Sequence, residues 1–248
     1  INKEMSIPKQ MEASIPFMVD RYDVQKYIAY FQAYSNTYDE LDKLKAMYEE
    51  AISYPNVIGL DIGTRSDCVD EELLEYLAKL NEEVHVTLEY GIESIHDDSL
   101  KWMNRGHDYE SVVKAVELTK QYGISVAGHI ILGFPIETRD MMLETGFAAN
   151  SLGLDFLKIH QLHVVKGTVL AKRYLDQPFP LFKADEYIEL VADILESLNP
   201  EIVIQRLFGD APDDILIAPR WGYNIPKLTH LMDLELNHRD TWQGKYFK

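Results

Sequence analysis

Cysteine is nearly absent: Cys68 is the single one in 248 residues. That excludes an intrachain disulfide, a zinc site built on cysteine and a complete cysteine-ligated cluster within these residues. No metal site is therefore expected in them, and a reducing cytoplasm is the compartment that fits. Positive charge is also scarce. With 41 Asp and Glu against 24 Lys and Arg, the net charge is −17, opposite in sign to a phosphate-binding surface. The composition does not advertise nucleic acid, although a local basic patch is compatible with it. No apolar stretch approaches the ~18–20 residues of a membrane span, so no membrane partner is expected. Ile1–Asp20 mixes charge, proline and methionine without an apolar run, so no secretory signal is expected either. Linkers rich in serine or glycine are missing, which makes one domain the economical reading. What is abundant is apolar side chain, 46% of the total. That is enough for a sizeable core, and the length suits a single barrel of ~200–250 residues.

Short apolar stretches alternate with amphipathic ones. Lys26–Gln32, Val57–Ile62, Val84–Tyr90, Ile124–Leu132, Phe156–His163 and Ile202–Arg206 read as strands. Tyr38–Ser53, Asp70–Asn81, Tyr109–Tyr122, Thr138–Leu152 and Ala184–Leu198 read as helices, as does Ser6–Tyr22 ahead of the first strand. Asp70 stands where an N-cap belongs, and Gly123 and Gly153 where C-caps belong. Strand–helix repetition at this length predicts a parallel sheet, open or closed. Asn224–Lys248 reads as a helix and tail with an apolar stripe over Leu228, Leu231, Met232 and Leu234–Leu236.

Period-2 alternation divides each strand into an apolar face for the helices and a second, more polar face. Val126, Gly128, Ile130 and Leu132 share one face, and Ser125 and His129 the other. Likewise Ile58, Leu60 and Ile62 oppose Asp61; Val84, Val86 and Leu88 oppose His85, Thr87 and Glu89; Leu157 and Ile159 oppose Lys158 and His160. Packed barrels fill their interior with branched apolar side chains. Asp61, Glu89, His129, Lys158 and His160 on five inward positions instead predict a polar cavity, unless each is satisfied by a neighbour in a buried network.

Three segments fall where strands end, which is where barrel chemistry is found: Gly63–Asp67; Glu89–Ser94 followed by Asn104–His107; and His129–Thr138. The last, within GHIILGFPIET, resembles the fifth-strand motif of radical S-adenosylmethionine (SAM) enzymes. LEYGIESIHDDSLKWMNRGHD resembles the fourth-strand segment of the subgroup holding the Elongator catalytic subunit and the oxygen-independent coproporphyrinogen oxidases. YFQAYSNTY, IGTRSDC, KIHQLHVVKGT and VIQRLFGDAP follow the order of a bacterial Elongator-like subfamily. The resemblance runs from Lys26 to Gly244. It implies a partial (β/α)6 TIM-like barrel. It also implies SAM bound at the strand ends on a [4Fe–4S] cluster, and reductive cleavage to a 5′-deoxyadenosyl radical, with the cofactors carrying the chemistry.

Residue by residue, Arg105 matches the arginine that pairs with the methionine carboxylate, a role suited to a planar fork. Glu93 stands where relatives have a glutamine on the methionine part, and here would attract the ammonium. His129 stands where an acid meets the ribose hydroxyls, and an imidazole also bonds a hydroxyl. Gln32–Thr37 occupies the loop where relatives carry an acid for the amine. Gln32 and Asn36 are the cofactor candidates there, with Ser35 and Thr37 as further donors, and Gly63 replaces another acid. Asp61 and Glu89 complete the polar cofactor set. Gly133 and Pro135 shape the turn beside adenine. His160 and Lys158 are the candidate catalytic side chains, and His160 also lies in the adenine region. Lys166–Thr168 reads as a turn, and Gln205 and Arg206 as closing the cavity. Cys68 reads as structural.

The family's Cys-x3-Cys-x2-Cys loop does not occur in these residues. The expectation is that the sequence begins after that loop and after the first barrel strand. The cluster ligands would then lie upstream of Ile1, and the 248 residues alone would be inactive. A cluster-free relative that binds SAM or a protein partner is the alternative. The subgroup implies tRNA as partner, with a wobble-uridine side chain modified, and a reductase, flavodoxin or ferredoxin as electron donor. The acidic composition favours a small metabolite instead. An ordinary aldolase-like barrel would want Lys158 as its Schiff base, but has no phosphate-binding glycine loop beside it.

Overall fold

The structure, a computed structural model, describes residues 5–248. In chain order its elements are α1 (Ile7–Tyr22), β1 (Tyr27–Phe31), α2 (Leu41–Ile52), β2 (Val57–Thr64), α3 (Glu71–Leu80), β3 (His85–Glu93), α4 (Asp97–Trp102), α5 (Tyr109–Gln121) and β4 (Ser125–Leu132). There follow α6 (Arg139–Leu152), β5 (Phe156–Gln161), β6 (Val164–Val165), α7 (Val169–Asp176), α8 (Ala184–Ser197), β7 (Val203–Arg206), β8 (Leu216–Ala218) and α9 (Ile225–His238). Six strands form one sheet in the order β1-β2-β3-β4-β5-β7, so neighbours in the sheet follow the chain, as α/β crossovers require. Among the described residues no helix is long and apolar enough to cross a membrane. The chain divides into two compact units, Ile1–Gly91 with Lys114–Val126, and Ile92–Val113 with Ala127–Lys248.

In the first unit β1 pairs with β2 and β2 with β3, both parallel. Tyr27 faces Val57 but Ile28 faces Gly59, so Ile58 is an extra residue in the ladder. A bulge of this kind turns one side chain to the other face. Ile58 is accordingly 45% exposed while Leu60 and Ile62 are fully buried, which corrects the alternation that grouped all three. His85, expected on the inward face, opens β3 and is exposed. The α3 helix begins as the sequence predicts: the Asp70 carboxylate accepts from Leu73 N at 2.9 Å, and Glu71 and Glu72 favour the positive end of the dipole. Its Leu73, Leu74, Leu77 and Leu80 are buried, the spacing of an amphipathic helix on a sheet.

In the second unit β4 pairs with β5 and β5 with β7, again parallel. Along β4, Val126, Gly128, Ile130 and Leu132 are buried while Ser125, His129 and Ile131 are half-buried, the expected alternation, except that Ala127 on the His129 face is buried too. The α6 helix starts at the Thr138 cap and stops at Gly153, whose φ of 61° is left-handed. Gly146 lets α6 close on α8: a Cβ there would come 2.7 Å from Ile194. From α9, Leu228 and Met232 are buried. Arg239 ties it to α8 through Asp193 at 2.6 Å. Leu234, assigned to the apolar stripe, is half exposed, because the i, i+4 pair Leu228–Met232 defines the buried line. The β6–β8 antiparallel ribbon was not expected, and β5 ends at Gln161 rather than His163.

Candidate active site

Within the second unit, β3 ends on Glu93 with φ of +63°, a left-handed conformation that costs a non-glycine residue about 1 kcal/mol or more. That kink sets the Glu93 carboxylate facing Arg105, Oε1 to Nη2 at 3.4 Å, with both side chains largely shielded from water. Arg105 follows α4, whose end is closed by Arg105 N donating to Leu100 O at 2.9 Å. Glu93 Oε2 is buried without a hydrogen-bond partner. Ser94, fully buried, donates to Glu137 Oε1 at 2.6 Å. Glu137 belongs to the turn after β4, and its Oε2 is likewise buried and without a hydrogen-bond partner. This Ser94–Glu137 link was not singled out in the sequence, although Glu137 lies within the quoted motif.

Gly133 opens the same turn with φ of +106°, and a Cβ on it would come 3.1 Å from the Phe182 ring. Glycine alone suits that position. His129 on β4 and His160 on β5, two residues apart in register, form an edge-to-face pair with ring centroids 4.2 Å apart. His129 Nε2 is buried without a hydrogen-bond partner. Lys158 is buried and lies level with His129 on β4 and Arg206 on β7. Arg206 Nη1 is 3.5 Å from His160 Nε2. Burial first, then His129 and Arg206, push the His160 imidazole down to about 2. It is therefore neutral at physiological pH, a donor and acceptor rather than a cation.

Within the first unit, Tyr30, Asp61 and Thr87 stand level across β1, β2 and β3. Tyr30 donates to Glu89 Oε1 at 2.9 Å, a partnership the sequence did not reveal. The loop after β1 carries Ala33 and Tyr34 in left-handed conformations. Asn36, expected to offer its amide to a ligand, spends it on Gly63 O at 2.8 Å and Phe31 O at 3.2 Å. Tyr48 donates to Asn36 O at 2.6 Å. Thr37 is committed to Thr64 and Cys68 O. Asn36 and Thr37 thus brace the loop, while Gln32 at its start is exposed. Cys68 is half-buried, and burial raises its thiol above the ordinary value.

Comparison with known proteins decides what this constellation belongs to. The family model described as the radical SAM superfamily matches residues 8–147, and that of the radical SAM C-terminal domain matches residues 154–237. The chain belongs to the radical SAM superfamily. It is 37% identical over 231 residues to the protein YtqA of Bacillus subtilis, covering 93% of this chain and 72% of that one. It is 29% identical over 177 residues to a tRNA uridine(34) acetyltransferase of Methanocaldococcus infernus, covering 70% of this chain and 32% of that one. Among solved structures, the archaeal Elp3 of the same organism superposes with a TM-score of 0.81 at 19% identity, over 96% of this chain and 60% of that one. That likeness establishes the partial (β/α)6 barrel fold. The chain spans 60% of that structure's chain, and the activity of a whole relative is not carried over with the fold.

The superfamily implies two groups, and the residues fit them differently. The [4Fe–4S] cluster does not fit: the sequence holds one cysteine, and among the described residues no group of three His, Cys, Asp or Glu is placed to hold a metal ion. S-adenosylmethionine does fit. A zwitterion with ribose hydroxyls asks for a cation, an anion and buried hydrogen-bonding atoms. The Glu93–Arg105 pair, the buried Glu93 Oε2 and His129 Nε2 are atoms of that kind.

Proposed function

We propose that this chain forms the S-adenosylmethionine-binding core of a radical SAM enzyme acting on a wobble-uridine side chain of tRNA. When bound and reduced, S-adenosylmethionine supplies a 5′-deoxyadenosyl radical. Arg105 holds the methionine carboxylate and Glu93 the ammonium. His129 takes a ribose hydroxyl, and the Gly133 turn lets the backbone approach adenine. The first unit has a polar set of its own, Gln32, Asp61 and Glu89, and Asn36 keeps its loop after β1 in shape. His160 and Lys158 meet the substrate. His160, neutral by burial, orients it by hydrogen bonding and does not act as an acid near pH 7. The observation carrying this reading is Glu93, held left-handed with one oxygen towards Arg105 and the other buried without a partner. Such an arrangement is costly unless a cation completes it.

The tRNA part is supported by the 29%-identical relative named for uridine 34 of tRNA. A reductase, flavodoxin or ferredoxin would deliver the electron, in a reducing cytoplasm. The net charge of −17 favours a second reading, a small metabolite in place of tRNA. The full-length native protein, reconstituted anaerobically, separates the two. 5′-Deoxyadenosine release stimulated by unmodified tRNA supports the first. Release stimulated only by metabolite extracts supports the second. No release from a protein that still binds S-adenosylmethionine leaves a cluster-free binding barrel.

A further inference from the structure

We propose that the cavity of about 600 Å³ bordered by His163, Gly209, Asp210, Arg220 and Trp221 receives one unpaired nucleobase of an RNA. The inference rests on the proposed function and deepens it by naming where the substrate base sits. Its foundation is Gln161, buried at the end of β5. The Gln161 Oε1 accepts from Gly209 N at 2.8 Å. Nε2 donates to Gly209 O at 3.2 Å and to His163 Nε2 at 2.8 Å. An amide N–H only donates, so His163 Nε2 accepts and the proton of the neutral ring sits on Nδ1. Burial keeps that ring neutral by lowering its pKa. His163 and Asp210 both line the cavity, and Asp210 is close enough to act electrostatically on the ring, so the wall holds an N–H donor and a carboxylate acceptor as neighbours. Donor next to acceptor is the complement of a uracil edge, a carbonyl next to an imide N–H.

The rest of the wall selects against other occupants. Trp221 is held by its Nε1 donating to Phe182 O at 2.8 Å and by the Tyr187 ring at 5.4 Å. With half-exposed Tyr223 it offers an aromatic surface on which a base can stack. The Arg220 guanidinium donates to the carbonyls of Asp213 and Leu216. Its Nη2 is thus committed to the loop, while Asp210 and Asp213 line the same space. An anionic metabolite or a phosphate is disfavoured there, and a neutral base is not. The cavity also lies close to His160. A Cβ on Gly209 would come 3.2 Å from His163 Cε1 and 3.4 Å from His160 Cγ, so one glycine thickness separates the two imidazoles' surroundings.

The test is binding of a labelled RNA stem-loop with an unpaired uridine in its loop to the full-length protein, followed by fluorescence anisotropy. The controls are the same stem with an abasic loop and with a cytidine loop. Trp221→Leu and Tyr223→Ala should each weaken uridine-loop binding by roughly tenfold, as loss of one base-stacking surface does. Affinity for S-adenosylmethionine should be unchanged. Asp210→Asn should shift preference from uridine towards cytidine, because an amide can donate to the cytosine ring nitrogen. Equal affinity for the abasic loop, or unchanged binding in all three variants, overturns the proposal. If Trp221→Leu fails to fold, exposed Tyr223 and Asp210 decide. 5′-Deoxyadenosine release without loop binding sinks the pocket alone. Pocket-dependent loop binding without release sinks the radical reading alone.

Discussion

Replacing His160 with glutamine should flatten the acid side of the stability curve. In the unfolded chain the imidazole titrates near 6.5, and in the folded protein near 2. Between those values the unfolded state binds the extra proton. The stability that neutral His160 contributes is complete above the unfolded value and is lost progressively as pH falls through 6.5 towards the folded one. From about pH 7.5 to about pH 5.5 this linkage removes about 1.3 kcal/mol. His163, also depressed by burial, acts in the same direction. With a urea slope of about 3 kcal/mol per M, the midpoint should move by roughly 0.4 M more in the wild type than in His160→Gln. Urea titrations at the two pH values, followed by tryptophan fluorescence, measure that difference of differences. Carboxylates elsewhere contribute equally to both proteins and cancel. Equal pH dependence in the two would refute the claim that His160 is held neutral by its surroundings.

Three further outcomes follow from the same geometry. Gly133→Ala places a Cβ against Phe182 in a left-handed conformation; a cost of about 1–3 kcal/mol should lower Tm by about 2–8 °C in calorimetry. Arg105→Lys keeps the charge but loses the fork facing Glu93, and S-adenosylmethionine affinity by calorimetry should fall about tenfold or more. Cys68, whose thiol is raised by burial, should react with a disulfide reagent at about pH 8 more slowly than free cysteine does.

The strands were legible because short apolar runs with alternating burial are a local signal, and His129–Leu132 displays that alternation. The helix starts were legible at Asp70 and Thr138 because a cap is chosen by its own side chain. Pairings made by backbone departures were not. Ile58 leaves its face because of one extra residue in a ladder, and Glu93 reaches Arg105 because its φ turns positive. Neither event has a residue-type signature. The β6–β8 ribbon is two residues on one side and three on the other, too short to carry a period. Asn36 matched a ligand-binding loop by position, but loop closure takes its amide. Gln161 read as an interior position of the strand Phe156–His163, yet its amide fixes the proton of His163. That is a fact of tautomer, which only the assembled site reveals.

The central claim is that Glu93 and Arg105 hold the methionine end of S-adenosylmethionine for radical chemistry. The most direct measurement is 5′-deoxyadenosine release by the full-length native protein, reconstituted anaerobically and reduced, beside its Arg105→Ala variant. Release by the native protein, and its loss in the variant while the circular dichroism spectrum is unchanged, is the predicted result. Equal release by both proteins would remove Arg105 from the site. No release and no S-adenosylmethionine binding by the native protein would contradict the account as a whole.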